Sequence, residues 1–510
     1  MTMIHTDGSA GPRGRLLGHR ASHRWLLAML FLAALARPAR ATASGAKDPP
    51  AGPPTKDAAT VFVNVNVIPM DRERVLKNQT VVVHAGRIAE IGDAARVKVP
   101  AGALQIDGRG KYLVPGLIDM HTHLFSDEEF PQRLAGDELA IMIANGVTTI
   151  RLMTGTPAQL ALRAKVEKGE QLGPTIYAAS PQLAGQASGK VWNGHVVTTP
   201  QEAQQAVRAS KAAGYDFIKL TTSITRPVYD AVIDTAREVG LRVIGHVDPR
   251  VGTAHALAVG QQIEHLDSYM ESVLKDDAPM KVSVSDYGVW KKPNWESLDY
   301  IDERKVTELA KATARAGVYS TPTLTFFKLC FVVEQSDAEI RARPDYRFYP
   351  EKLRERLFAA HRKFWTNPPS AERRQRYQRT RDLLVKTIHD AGGKIMAGSD
   401  APELFLVYGF TLHREIQNLV AAGLSPYAAL EAATRTPAEY LKGLDTFGTI
   451  ERGKRADLLL LEASPLQDIA NTERRAGVMV RGRFFPQAEL RKLLDEVAER
   501  FAAAPELKTL

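Results

Sequence analysis

Eight short apolar segments typical of β-strands recur between residues 113 and 400 of this 510-residue chain, and helical segments separate most of them. The segments read LVPGLIDM, VTTIRLM, TIYAAS, FIKLTT, RVIGHV, QIEHLD, VYSTPTL and KIMAGSD. Strand and helix alternation favours a parallel sheet covered by helices, and eight repeats over about 320 residues predict an α/β fold, a TIM-like (β/α)8 barrel. We therefore expect the functional side chains at the C-terminal ends of these strands.

Strand patterns also flank this region on both sides. VFVNVNVI and TVVVHAGRIAEIG precede it, and GTIERGKRADLLLLEA and GVMVRGRFF follow it. Separated β segments bury their apolar faces most simply by forming one unit. Residues 58–112 and 444–486 therefore predict a small split β-sandwich, the barrel at residues 113–443 is its insertion, and residues 487–510 predict a terminal helix.

Two connections inside the barrel region are unusually long, at about residues 268–317 and 326–393. Connections of that length in a compact domain usually are functional or carry helices of their own. We expect both of them to lie over the mouth of the barrel as a lid.

The first 43 residues are typical of an export signal. Arg20 and Arg24 precede the apolar run from Trp25 to Ala36, and the small-residue sites ARA and ATA follow it. The run is short for a membrane span, and no adjacent arginine pair precedes it, which argues against the twin-arginine route. We expect a Sec-type signal peptide, no stable membrane anchor and a periplasmic or secreted protein, with an uncleaved anchor as the alternative. Residues 44–57 predict a proline-rich linker.

The charge of the chain argues against a nucleic-acid partner. Six arginines and one aspartate give the first 43 residues a net charge of +5, which leaves +4 of the total +9 for the remainder. No stripe of basic residues interleaved with aromatic ones is present. A small-molecule substrate is therefore expected, and a homo-oligomer stays open. Cys330 is the only cysteine, so stability has to come from burial without an internal disulfide.

Polar side chains that could bind metal stand at the predicted strand ends. His121 and His123 lie two residues apart on an extended backbone, so their imidazoles can point to one side. The others are Lys219, His246, His265 and Asp400. Imidazole and carboxylate ligands suit zinc or a similar divalent ion, and four histidines with one aspartate exceed the need of a single open site. Two cations would favour a neutral Lys219, which could add carbon dioxide to form an anionic bridging carbamate.

The order HxH, Lys, His, His, Asp resembles the amidohydrolase superfamily across nearly all of residues 60–485, as do the motifs VPGLIDMHTH, IKL, GHV, IEHLD, AGSDA and GTIERGKRADLLLLE. The chain is similar to exported imidazolonepropionase-like amidohydrolases and to the binuclear Xaa-Pro dipeptidase group, in which the lysine is carbamylated. The resemblance implies one metal ion at His121, His123 and Asp400, a second at His246 and His265, and Lys219 between them. It also implies a metal-bridging hydroxide as nucleophile and Asp400 as the catalytic base and then acid.

The predicted reaction is hydrolysis of amide bonds in dipeptides such as Xaa-Pro or in N-acyl amino acids. Hydrolysis of lactones or cyclic amides at the same binuclear site is an alternative, because one fold hosts many chemistries. A non-catalytic exported binding protein is a third. Relatives often carry a tyrosine two residues after the lysine, where this chain has Thr221. The candidate substrate contacts are Arg151, Trp192, Asn193, His195 and Thr221.

Overall fold

The computed structural model describes residues 58–124, 134–185, 194–279, 295–349 and 351–503. The predicted signal peptide, the predicted linker and the candidate contacts Trp192 and Asn193 lie outside these residues. Among the described helices, none is both long enough and apolar enough to cross a bilayer.

Eighteen strands are described. In chain order they are β1 (Thr60–Val67), β2 (Leu76–His84), β3 (Arg87–Asp93), β4 (Leu104–Asp107), β5 (Tyr112–Pro115), β6 (Leu117–Thr122), β7 (Val147–Leu152), β8 (Thr175–Ala178), β9 (Gln182–Ala184), β10 (Gly194–Val196), β11 (Phe217–Leu220), β12 (Arg242–Gly245), β13 (Gln262–Glu264), β14 (Tyr319–Thr321), β15 (Lys394–Ile395), β16 (Leu458–Leu461), β17 (Arg475–Val480) and β18 (Arg483–Pro486).

Fifteen α-helices are described with them. They are α1 (Leu134–Ala144), α2 (Pro157–Glu167), α3 (Pro200–Ala213), α4 (Arg226–Val239), α5 (Thr253–Val259), α6 (Tyr269–Ser272), α7 (Glu303–Arg315), α8 (Leu324–Phe327), α9 (Asp337–Ala342), α10 (Glu351–Phe364), α11 (Ala371–Asp390), α12 (Phe410–Ala421), α13 (Pro426–Glu431), α14 (Arg435–Tyr440) and α15 (Gln487–Ala503).

The strands from both flanks join in one sheet. Its order is β18-β17-β16-β5-β1-β2-β3, with β4 beside β1. The two flanks meet where β5 pairs with β16 in antiparallel register, so that Leu458 faces Pro115 and Leu461 faces Tyr112. Buried apolar side chains, including Phe62, cover this sheet. The two ends of the chain therefore build a common unit.

Strands β6 to β15 pair in parallel. One sheet has the order β6-β7-β8, and the other runs β10-β9-β11-β12-β13-β14-β15. Isolated parallel bridges, Ala179 with Phe217 and Thr122 with Ala401, connect the two sheets at both ends. Each of the eight predicted segments contains one of these strands, whereas β9 and β10, which lie in the chain between the third and fourth predicted segments, were not predicted. Parallel strands place their C-terminal ends at one edge.

The segment predicted as the first barrel strand is two strands, which is a correction. The chain breaks at Gly116: β5 belongs to the composite sheet, whereas β6 pairs with β7. A Cβ atom at residue 116 would lie 2.3 Å from Oγ1 of Thr148, so glycine permits the close approach. The dipeptide Pro115–Gly116 is a local signal of a break, but the apolar residues on both sides of it read as one segment because both strands are buried.

The helices between the strands begin and end at the residues that their sequences suggest. Thr199 caps α3 and forms a capping box with Glu202, and Pro200 occupies the first turn. Gly214 ends this helix with φ 90°, a conformation that glycine adopts without strain. These signals hold the helices at lengths that return the chain to the start of the next parallel strand.

The two long connections carry helices, with α6 and α7 in the first and α8 to α11 in the second. Aromatic side chains join the second connection internally: the ring centroids of Phe327 and Phe331 are 6.1 Å apart, and those of Phe331 and Tyr377 are also 6.1 Å apart. The second connection is therefore a packed helical insertion.

The buried His413 on α12 makes stability dependent on pH. Its Nδ1 lies 3.0 Å from Oγ1 of Thr472, its Nε2 lies 2.9 Å from the carbonyl oxygen of Asn145, and burial lowers its pKa from 6.5 to about 3. Between pH 6.5 and 3 the imidazole is therefore protonated in the unfolded chain but neutral in the folded chain. The contribution of His413 to the free energy of unfolding is present above pH 6.5 and is lost as the pH falls toward 3.

We expect His413→Gln, which does not titrate, to flatten that dependence. The free energy of unfolding of the native chain, relative to the variant, should fall by up to about 1.4 kcal/mol per pH unit on acidification. Denaturant unfolding of both proteins across that range measures the difference. Parallel curves for the two proteins would contradict the prediction.

Candidate metal centre

The structure brings the six predicted side chains together at the C-terminal edge of the parallel strands. His121 lies in β6, Lys219 lies in β11, and the other four follow strand ends. Five of the six residues are buried, and the side chain of His123 is 11% exposed. The group comprises His121, His123, Lys219, His246, His265 and Asp400. Sequence separation of up to 279 residues therefore collapses to one site because the strands are parallel.

His121, His123 and Asp400 could hold one metal ion. Nε2 of His121 lies 3.3 Å from Oδ1 of Asp400, and Nε2 of His123 lies 3.5 Å from the same oxygen. One ligand atom from each residue lies within 4.8 Å of the others. The second oxygen of Asp400, Oδ2, is buried without a hydrogen-bond partner in the described residues. Because a buried carboxylate oxygen without a partner is costly, a bound cation fits this donor set.

A second pair of imidazoles adjoins the first group. The rings of His246 and His265 stack with centroids 4.9 Å apart, and the ring of His265 lies 4.5 Å from that of His121. Lys219 lies near all four histidines, since its charge contributes to lowering the pKa of each of them. Four imidazoles and the Asp400 carboxylate are more donors than one tetrahedral site requires.

The Nδ1 atom of each histidine lies close to an oxygen of a supporting residue. The pairs are His121 with Oε2 of Glu264 at 2.7 Å, His123 with Oγ1 of Thr154 at 3.2 Å, His246 with Oδ2 of Asp267 at 2.6 Å, and His265 with Oγ1 of Thr323 at 2.7 Å. Such contacts fix ring orientation, and the carboxylates beside His121 and His246 also select the tautomer because a carboxylate can only accept the Nδ1 proton. Nε2 is then the nitrogen that each ring can offer to a metal.

Two of the candidate ligands have unusual backbone conformations. His265 has φ 61° and Asp400 has φ 56°, both in the left-handed region that costs energy for residues other than glycine. The amide of Asp400 donates to the carbonyl oxygen of His121 at 2.7 Å. Arg381, on the helical insertion, donates to the carbonyl oxygen of His265 at 2.7 Å. These bonds hold both ligands in conformations that local sequence disfavours.

The electrostatics of the site favour metal-binding protonation states. Burial lowers the pKa of Lys219 to about 8, although Glu264 and Asp400 oppose this shift. Burial also lowers the pKa values of all four histidines, which keeps the imidazoles neutral. For Asp400, burial raises the pKa, but His121 and the hydrogen bond with His123 outweigh it, and the net shift is downward. The carboxyl is therefore ionised and the lysine readily becomes neutral.

The predicted substrate contacts have different positions. The prediction for Arg151 is corrected: its side chain is completely buried and its guanidinium donates to Glu264, Gln262 and the carbonyl oxygen of Met120. Its place at a strand end suggested that it contacts substrate, but the side chain points into the interior. There the Glu264 carboxylate neutralises its charge and the other acceptors complete its hydrogen bonds. Thr221 is partly buried, and His195 on β10 is exposed. For these two residues, substrate contact stays a prediction.

Sequence reasoning missed the residues that support the ligands. Glu264 and Asp267 flank His265 in the motif IEHLD, and this acidic pattern was a signal that could have identified them. Thr154 and Thr323 carry no such signal, because a threonine at a strand end is common. Their pairing with imidazoles depends on how the strands are placed in space.

Comparisons with known proteins connect the chain with one protein family. A family model described as the amidohydrolase family matches residues 112–485. Imidazolonepropionase from Stenotrophomonas maltophilia is 31% identical over 165 residues, covering 30% of this chain and 38% of that protein. Over its first curated relatives, the chain thus spans from about 38% to 60% of their length.

Two solved structures have the same overall fold. A putative prolidase from Bifidobacterium longum superposes with a TM-score of 0.62 at 25% identity, covering 86% of this chain and 99% of that one. A Xaa-Pro dipeptidase with bound methionine in its active site gives a TM-score of 0.59 at 21% identity, with 84% and 100% covered. The fold is therefore TIM-barrel-like α/β.

Proposed function

The chain belongs to the amidohydrolase family, and we propose that it is an enzyme that hydrolyses amide-type C–N bonds of small molecules with bound divalent metal ions. The observation that carries the proposal is the convergence of four Nδ1-anchored imidazoles, a buried lysine and a buried carboxylate oxygen that has no hydrogen-bond partner among the described residues. Perturbed titratable groups gathered at the C-terminal edge of parallel strands are typical of a catalytic site.

The chain's own residues have distinct roles in this reaction. A divalent ion, when bound, supplies Lewis acidity that activates water and polarises a carbonyl group. Asp400 accepts a proton from the attacking water at its carboxylate and delivers it to the leaving nitrogen, first as a general base and then as a general acid. Its lowered pKa keeps it in the ionised form that a general base requires. The neutral imidazoles of His121 and His123 hold the ion beside this carboxylate.

The proposal extends to two ions, taken as zinc, with a carbamate on Lys219. His121, His123 and Asp400 would hold the first ion, and His246 and His265 would hold the second. A pKa of about 8 supports the carbamate, since about a tenth of the amine is then uncharged at neutral pH and able to add carbon dioxide. An anionic bridge there would also offset the charge of two cations in a buried site.

The proposal also covers the architecture and location. The bridges of Ala179 with Phe217 and Thr122 with Ala401 support closure of the two parallel sheets into a (β/α)8 barrel. The seam between β5 and β16 supports a split β-sandwich that encloses it. The helical insertions act as a lid, and the signal peptide at residues 1–43 exports the protein to the periplasm or beyond.

The proposed substrates are dipeptides such as Xaa-Pro and N-acyl amino acids. The names of the two solved structures, a putative prolidase and a Xaa-Pro dipeptidase, favour this class. A second candidate is hydrolysis of a cyclic amide, favoured by curated relatives named imidazolonepropionase. Both reactions would use the same centre, so the walls of the pocket decide between them.

A substrate panel tests the proposal. Zinc-loaded, bicarbonate-treated protein purified after export is incubated with pooled dipeptides, N-acyl amino acids, cyclic amides and lactones, and the products are read by mass spectrometry. We expect cleavage within the dipeptide or N-acyl pools that chelator-treated protein does not show. Turnover confined to cyclic amides would favour the second candidate. No turnover of any amide by protein that holds metal would refute amide hydrolysis.

A further inference from the structure

We propose that the buried ion pair of Arg151 and Glu264 is a positioning element of the metal centre, which fixes the orientation and tautomer of His121. The inference rests on the metal site of the proposed function, although it is independent of which bond is cleaved. It gives a role to the buried Arg151–Glu264 ion pair, which neither binds substrate nor transfers a proton in the proposed reaction.

Arg151 is surrounded by hydrogen-bond acceptors from two other strands. Its side chain is fully buried, and its Nη2 donates to Oε1 of Glu264 at 2.6 Å. Nη1 donates to Oε1 of Gln262 at 2.7 Å, and Nε donates to the carbonyl oxygen of Met120 at 2.7 Å. The guanidinium thus joins β7 to β6 and β13, the strands that lead to His121 and His265. Its planar fork suits such fixed, multiple bonding better than an ammonium would.

The two carboxylate oxygens of Glu264 contact different partners. One carboxylate oxygen, Oε1, binds Arg151, and the other, Oε2, lies 2.7 Å from Nδ1 of His121. Because the carboxylate only accepts, Nδ1 of His121 carries the proton and Nε2 is left as the metal-binding nitrogen. That nitrogen faces Oδ1 of Asp400 at 3.3 Å. Arg151 therefore fixes the position of the Glu264 carboxylate, and this carboxylate fixes the ring of His121, a candidate metal ligand.

A contribution to the free energy of unfolding gives little reason for the buried Arg151–Glu264 ion pair. Replacing a buried ion pair with apolar residues of similar volume is often neutral or stabilising, because both charges have to be desolvated. Apolar neighbours are available, since the Arg151 guanidinium carbon lies 5.8 Å from the ring centroid of Phe217 and 5.6 Å from that of Tyr440. An ion pair directly beneath a ligand is instead what control of ligand orientation requires.

The test uses variants that keep volume and change the support of His121. Glu264→Gln removes the anion, and the double variant Arg151→Met with Glu264→Gln removes both charges without leaving either one unpaired. Arg242→Met is the matched control: Arg242 stacks on the same Phe217 and Tyr440 rings, and its described hydrogen bond goes to the carbonyl oxygen of Tyr440. Zinc affinity is measured by chelator competition, and the His121 tautomer is measured by nitrogen NMR.

We expect both Glu264 variants to bind one zinc ion about 10 to 100 times more weakly, with the other ion little changed, and to lose the single tautomer of His121. The Arg242 control should keep native affinity. Folded variants that bind both ions with native affinity would overturn the inference. Weakened zinc binding in a protein whose native form cleaves no amide would support this inference while refuting the proposed reaction.

Discussion

Asp400→Asn is expected to lower kcat/KM by about 10,000-fold. The substitution keeps the size of the side chain but removes the charge that faces His121 and His123 at 3.3 and 3.5 Å. An amide also cannot accept the proton that the proposed reaction passes through this position, and general base catalysis alone contributes about 100-fold to 10,000-fold. The loss of a ligand adds to that effect, so both activity and metal content should fall.

Steady-state kinetics and elemental analysis of the same preparation measure the two losses. Asp248→Asn is a matched control, because Asp248 is also a buried aspartate after a strand end but accepts hydrogen bonds from Arg250 and the amide of Ser223. We expect the control to stay within tenfold of the native kcat/KM. An Asp400→Asn protein with kcat/KM within tenfold of the native value would rule out the proposed role of Asp400.

Lys219→Met is expected to reduce the metal content from two ions per chain to one, and to lower kcat/KM by about 1000-fold. Methionine has a similar length and suits the apolar burial that already lowers the pKa of this lysine to about 8. It cannot form a carbamate, so the second ion would keep only His246 and His265 as protein ligands. Two imidazoles are fewer than the three ligands that catalytic zinc sites usually have.

Three measurements examine this second variant. Elemental analysis gives the metal content, and NMR with isotope-labelled bicarbonate shows whether the native protein carries a carbamate that the variant lacks. Added acetate should restore part of the activity, because a small carboxylate can occupy the bridging position. Lys454→Met is the control, since Lys454 is also buried but pairs with Glu451 in the flanking β region. A Lys219→Met protein with two ions and native activity would refute the bridge.

Much of the fold was predictable from the sequence because its signals are local. Strand and helix alternation between residues 113 and 400 predicted parallel strands, and the structure contains a strand in each of the eight segments. Capping residues such as Thr199 and Glu202 set helix bounds within a few positions. The break at Gly116 has a local signal in Pro115–Gly116, but the placement of β5 and β6 in different sheets was not predictable, since it depends on which strands they pair with.

The sequence by itself determined which six side chains meet, because residues at the C-terminal ends of parallel strands share one edge whatever their separation along the chain. Only the tertiary structure decided what holds them. The contacts of Glu264 with His121 and of Asp267 with His246 join residues that are 143 and 21 positions apart. Arg151 shows the difference most clearly: its position at a strand end suggested substrate, but its side chain lies beneath the ligands, bound to Glu264. Side-chain direction and burial depend on packing between strands, which local pattern does not encode.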